Sequence, residues 1–240
     1  MKLISVILFS ILFQTKSLAG IIQIEFDGLS SGSDQLNIFG LDESFSNILT
    51  KGVIQIDLDK LPSSELTTSP NYQRAEYLNS ESDWLSITYE INGVLLSNNH
   101  MFETKTNYMS LGDTSDSAIG EHFFLRQGSE YESEGRDLIS GMRQSISSSF
   151  QLRSDDGENL INGIDVPSSL PTYDSFNISF SKAFSESDGS MTGLQSASHF
   201  SFTTLNNIEW KSISATVPEP STLAIFGLGL IGLFFRKFQK

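Results

Sequence analysis

The chain has 240 residues, 29 acidic against 15 basic side chains and no cysteine. With both ends set aside there is room for one domain of about 200 residues, large enough to be held by burial alone. The missing cysteines exclude disulfides, thiol catalysis, iron–sulfur clusters and thiolate zinc sites.

At the N-terminus, Lys2 precedes an apolar run over residues 3–13, and Ser17-Leu18-Ala19 leads into Gly20. A basic start, a short greasy run and small residues before the cut describe a secretory signal peptide over residues 1–19, helical in its apolar part. The run is too short for a permanent membrane helix. Signal peptidase is therefore expected to cut between Ala19 and Gly20, placing the mature chain outside the cytoplasm. Of the basic residues, Lys2, Lys16, Arg236, Lys237 and Lys240 fall in the two ends, and of the acidic ones only Glu219 does. That leaves 10 basic against 28 acidic side chains over residues 20–217, a net of −18. A body so acidic repels nucleic acid and anionic lipid.

Residues 20–217 read as strands. Ile22, Ile24 and Phe26 alternate with Gln23 and Glu25, and Ile54, Ile56 and Leu58 with Gln55, Asp57 and Asp59. Period two with one apolar face marks half-buried antiparallel strands. Leu85, Ile87, Tyr89 and Ile91 continue the pattern, and Asn92-Gly93 joins them to Val94-Leu95-Leu96 with the pair that a type I′ hairpin turn favours. Further strands are expected at 102–108, 122–126, 145–152, 175–184, 190–195 and 207–216. Ile146, Phe150 and Leu152 share a face, as do Phe176, Ile178 and Phe180. About nine strands between Ser, Gly and Asp loops predict an all-β, antiparallel β-sandwich or jelly-roll-like body. Helix is expected only in short pieces, at 71–78 and 137–143, and long polar loops at 61–83 and 128–137. The roughly 40 serines disfavour long helices, because their hydroxyls compete for backbone groups.

The last strand runs directly into residues 217–240, VPEPSTLAIFGLGLIGLFFRKFQK. Pro218 and Pro220 fix their own backbone angles and push the residues before them away from helix, so the Pro218-Glu219-Pro220 triplet is held extended. Ser221 and Thr222 suit a helix N-cap. Residues 223–235 carry no charge and make an apolar cylinder about 20 Å long at about 1.5 Å per residue, shorter than the roughly 30 Å hydrocarbon core. Such a helix inserts with thinning of the bilayer or snorkelling of its basic end, and Arg236, Lys237 and Lys240 hold its end on the cytoplasmic side. Gly227, Gly229 and Gly232 spell the dinucleotide fingerprint, but no acid follows them and only eight residues remain. They read as close-packing points of a membrane helix.

This tail resembles the PEP-CTERM protein-sorting domain, also known as the ice-binding protein C-terminal domain, of exported proteins in Gram-negative bacteria. Pro218, Glu219 and Pro220 match its triplet, Ser221 follows as in the family, and the Gly-punctuated helix and basic end complete it; Arg236-Lys237-Phe238 stands where an arginine run is common. The resemblance implies a membrane-embedded exosortase, a cysteine transpeptidase-like enzyme, that recognises the triplet, removes the tail and passes the protein to the surface or matrix. It implies three parts: signal peptide 1–19, β-rich extracytoplasmic body 20–217 and sorting tail 218–240. It covers about a tenth of the chain and leaves the body's role open.

Within the body no residue pattern assigns chemistry. His100, His122 and His199 have 21 and 76 residues between them and lack the spacing of a metal site. Asp155-Asp156-Gly157-Glu158 lacks the alternating donors of a calcium loop and reads as a solvated turn. Glu130, Glu132 and Glu134 would repel one another on an extended chain and read as an acidic loop. Ser179-Phe180-Ser181-Lys182 matches a serine nucleophile motif, but in an alternating strand and without its partner motifs. No pair among the 28 acids stands out for glycoside hydrolysis. Trp84, Tyr72, Tyr77, Tyr131 and Trp210 offer rings for sugar stacking, although filling the core or covering sheet edges is the simpler use. The expectation is an exported, non-enzymatic surface or matrix protein without catalytic, cofactor or metal residues, with exopolysaccharide as a possible partner. A carbohydrate-binding or carbohydrate-cleaving sandwich on the same tail is the alternative, and ice or calcium binding a weaker third.

Overall fold

A computed structural model describes residues 20–69, 72–79, 83–97, 104–114, 121–132, 141–154, 165–187 and 194–214. The signal segment, the Asp155-Asp156-Gly157-Glu158 turn, His100 and the whole sorting tail lie outside them. The described body, Ile21–Ile213, is one unit. Its eleven strands are β1 (Gly20–Asp34), β2 (Ser44–Asp57), β3 (Glu65–Ser69), β4 (Tyr72–Asn79), β5 (Leu85–Ile91), β6 (Val94–Ser97), β7 (Thr104–Thr114), β8 (Glu121–Glu132), β9 (Gly141–Ser154), β10 (Ser175–Ser187) and β11 (Leu194–Ser214). They form a single antiparallel sheet in the order β3-β4-β7-β8-β9-β10-β11-β1-β2-β5-β6. The all-β expectation holds, with every described strand in one ladder.

Chain connectivity requires this sheet to fold over. Asn79 ends β4 and Leu85 begins β5, a step that reaches at most about 22 Å at the limit of extended chain. The two strands stand eight places apart in the order, which on a flat sheet is about 38 Å at roughly 4.8 Å per strand. Only a curled sheet brings them within reach. The contacts agree: the Tyr89 hydroxyl on β5 lies 3.3 Å from Ser149 O on β9 and 3.2 Å from Ser179 O on β10. The inner faces of the two wings make the core. Ile22, Ile24 and Phe26 of β1, Ile54 and Ile56 of β2 and Leu85 to Ile91 of β5 meet Phe123 and Leu125 of β8, Phe150 and Leu152 of β9 and Ile178 of β10. Tyr89 sits among the rings, with Phe200 at 5.2 Å, Phe180 at 6.1 Å and Phe26 at 6.2 Å between centroids, all in edge-on arrangements that suit the ring quadrupole.

One buried side chain joins the wings as a strand would. β6 pairs with β5 only over Thr88 to Ile91, leaving the outer edge of β5 at Leu85–Ile87 without a neighbour strand. Gln127 of β8, 2% exposed, fills that place: its amide accepts from Ile87 N at 3.1 Å and donates to Leu85 O at 2.5 Å and to Asn107 Oδ1 at 3.0 Å. Gln127→Leu removes both backbone partners at once. The expected loss is about 2 kcal/mol in urea denaturation, the cost of stranding buried polar groups; an unchanged midpoint would show that the clamp carries no stability.

Several expectations need correction. The helix expected over 71–78 is strand in its described part, 72–78: β4 pairs with β7 and buries Ala75 opposite Leu111. The polar loop expected over 61–83 contains β3 and β4, and the loop expected from 128 is strand through Glu132, so Glu130 and Glu132 belong to β8. The described parts of the two strands expected over 190–195 and 207–216 share one continuous β11, whose middle carries buried Phe200 and Phe202. The Asn92-Gly93 turn is as expected, with φ of 50° and 76°.

Candidate functional site

Strand alternation puts a second set of side chains on the outer face of β4, β7, β8 and β9. Tyr108 and Ser110 alternate with buried Met109 and Leu111, and Phe124 and Arg126 with buried Phe123 and Leu125. Register then brings distant residues together across the face: Leu78 opposite Tyr108 and Glu76 opposite Ser110, Tyr108 opposite Arg126 and Gly112 opposite His122, and Arg126 opposite Ser149.

Two chemically different halves result. The first is a closed polar network. Arg74 donates from Nε to Ser110 Oγ at 3.0 Å and from Nη2 to Tyr108 Oη at 2.8 Å, and it pairs with Glu76 at 2.8 Å. The Tyr108 hydroxyl donates to Glu76 Oε1, and Ser110 Oγ lies 3.0 Å from His122 Nε2. Burial, then the bond to Glu76, raises the Tyr108 pKa. Burial, then the positive charges of Arg74 and Arg153, lowers that of His122, so the ring is neutral at pH 7. Its imidazole lies over Gly112, where a Cβ would come within 2.3 Å of the ring; glycine is what makes the space. Ser110 and His122 have the spacing of a nucleophile and base. Ser110 is 1% exposed and its oxygen is already held by Arg74, so a substrate has no approach to it.

The second half is open. A groove of about 460 Å³ runs over Leu78, Tyr108, Phe124, Arg126, Gly128 and Ser147, within the roughly 300–1,000 Å³ range of small-ligand sites. Tyr108 and Phe124 meet edge to face at 5.8 Å. Leu78 is 63% exposed. Among the described residues no side chain bonds to or ion-pairs with Arg126.

Most residues singled out in the sequence lie elsewhere. Trp84 is 1% exposed and has no surface to offer a sugar, and its buried Nε1 has no described partner. Tyr77 packs against the core. Trp210 packs on Phe123 at 5.2 Å and donates to Pro167 O at 3.1 Å. Tyr72 is half-buried on β4, and the side chain of Tyr131 lies outside the described set. His122 and His199 stand on β8 and β11, and no group of three metal-ligating side chains occurs among the described residues. Ser179 to Lys182 lie in β10, with Ser179 Oγ 2.8 Å from Ser149 Oγ. Ala19, Pro218, Glu219, Pro220, Arg236, Lys237 and Lys240 lie outside the described residues, and Gly20 opens β1. Tyr108, Phe124 and Arg126 were not singled out as a site; the alternation of YMSLG and HFFLRQG was their only sequence signal.

The profile of the PEP-CTERM protein-sorting motif matches residues 216–237, which include Pro218, Glu219, Pro220 and the apolar run. No curated protein and no solved structure matches the chain.

Proposed function

We propose that this chain, whose PEP-CTERM motif marks an exported protein handled by an exosortase, ends as a non-enzymatic component of the surface or extracellular matrix of a Gram-negative cell. The motif match at residues 216–237 is the observation that carries the reading. Residues 1–19 act as the signal peptide, cut between Ala19 and Gly20. Residues 223–235 hold the chain briefly in the inner membrane, with Arg236, Lys237 and Lys240 on the cytoplasmic side, until the exosortase acts at Pro218-Glu219-Pro220. The folded-over sheet, whose described strands run from Gly20 to Ser214, then serves as the two layers of a sandwich-like body. Its core is closed by burial without disulfides, as a domain of this size allows. Intact-mass measurement of protein recovered from the medium tests the reading. The expected product starts near Gly20 and ends close to the triplet; one that retains Lys240 would identify a plain membrane anchor instead.

A further inference from the structure

We propose that the outer-face groove over β7, β8 and β9 binds an acidic polysaccharide, with sugar rings against Tyr108 and Phe124 and a sugar carboxylate on Arg126. The inference goes beyond the sorting reading and stands on the geometry of the body alone.

Charge gives the first argument. The body carries a net of −18 over residues 20–217, yet Arg74, Arg126 and Arg153 all fall on this one face. At outer-face positions the carboxylates are Glu65 on β3, Glu76 on β4, and Glu130 and Glu132 on β8 beyond Gly128; Glu76 is engaged by Arg74 and Tyr108. Arg126 is the cation left open, exposed in the groove wall. Its planar fork suits a carboxylate held by two parallel bonds.

The lining gives the second argument. A groove on the middle of a sheet face offers side chains only, because the backbone groups beneath it are spent in the ladders of β7, β8 and β9. An extended peptide reads an open edge through its main chain, and this groove provides none. A lipid chain needs an apolar trough, whereas one side here is the serine row of β9, with Ser145 and Ser147 in the lining. Ring faces, small hydroxyls and one free guanidinium match a ligand with apolar ring faces, many hydroxyls and a carboxylate. Gly128 keeps the floor low where a sugar would cross.

Affinity electrophoresis of the full chain in nonionic detergent, through gels carrying polygalacturonate, tests this at about 0.15 M salt, where the screening length is about 8 Å. Under those conditions the long-range repulsion between an acidic body and an acidic polymer is damped and a direct contact persists. The wild-type chain is expected to be retarded, and Arg126→Gln to weaken the retardation about tenfold or more, as for a lost charge-assisted pair. Phe124→Ala should weaken it through the ring. Lys51→Gln, the same charge change on the exposed side of β2, should leave it intact, and fully methyl-esterified polymer should retard the wild type little. No retardation of the wild type, equal retardation of Arg126→Gln, equal weakening by Lys51→Gln, or equal binding of the ester would each overturn the proposal. None of these outcomes bears on tail processing, so the two readings fail separately.

Discussion

Glu219→Ala should leave the full-length chain in the inner membrane with its body folded. The described strands end at Ser214, and position 219 is not among the residues that form the described core. In the sorting reading the exosortase reads the triplet in its extended form, with Glu219 the single charge between two prolines. Losing one charge-assisted contact of about 1.5–3 kcal/mol lowers processing by roughly tenfold or more. Pro220→Ala acts by a different route: it allows helix to start before Ser221, drawing Glu219 into a coil that a cleft for extended chain rejects. Pulse-chase labelling with membrane fractionation reads both variants. Normal release of either into the medium would remove the triplet from the mechanism, whatever cuts the tail.

What could be read from the sequence, and what could not, follows the range of the interactions. The tail was legible because its meaning lies in a linear order of stiff triplet, apolar run and cationic end. The β5–β6 hairpin was legible because Asn92 and Gly93 supply positive φ locally and strict alternation flanks them. β4 misled because Arg74, Ala75, Glu76 and Leu78 are good helix formers, and only pairing with β7 and burial of Ala75 override that preference. The length of β11 was hidden by its polar stretches, since its exposed side carries Ser201, Thr203 and Asn207 while Phe200 and Phe202 point inward. Strand order was not legible at all, because three short connections cross between facing wings and no local pattern records a crossing. The groove shares that fate: Leu78, Tyr108, Phe124 and Ser147 meet through register across four strands, and each alone is an ordinary strand residue.

Asp34→Asn should destabilise the body by about 3 kcal/mol at pH 7, in keeping with hydrogen bonds made to a charged group. Asp34 ends β1 and is 4% exposed. Its Oδ1 accepts from Ile38 N at 2.7 Å and from Ser198 Oγ at 2.8 Å, and its Oδ2 from Phe39 N at 2.9 Å and Leu41 N at 3.2 Å. This carboxylate shapes the loop that sinks Phe39 into the core, 5.5 Å from Phe200 and 6.0 Å from Phe180; Asn92 Nδ2, in the β5–β6 turn, closes the loop by donating to Phe39 O and Gly40 O. An asparagine amide would turn a donor toward backbone N–H groups that need an acceptor. For a body of this size the loss corresponds to roughly 6–12 °C in melting temperature. Burial works to raise the Asp34 pKa, but the Ser198 hydroxyl and the three backbone amides outweigh it and the net shift is downward. With the folded value below the unfolded one of about 3.9, the carboxylate's contribution is complete above that pH and disappears as pH falls through the folded value. Wild type and Asp34→Asn should therefore differ most at neutral pH and begin to draw together below about pH 4, because a protonated Asp34 faces the same amides with the same surplus hydrogen. Urea denaturation at pH 7 and pH 3 measures the gap, with Ser198→Ala as the variant that removes one donor and costs about 1 kcal/mol. A gap of equal size at both pH values would mean that the negative charge of Asp34 does not hold the loop, and the anchoring of Phe39 would then rest on packing alone.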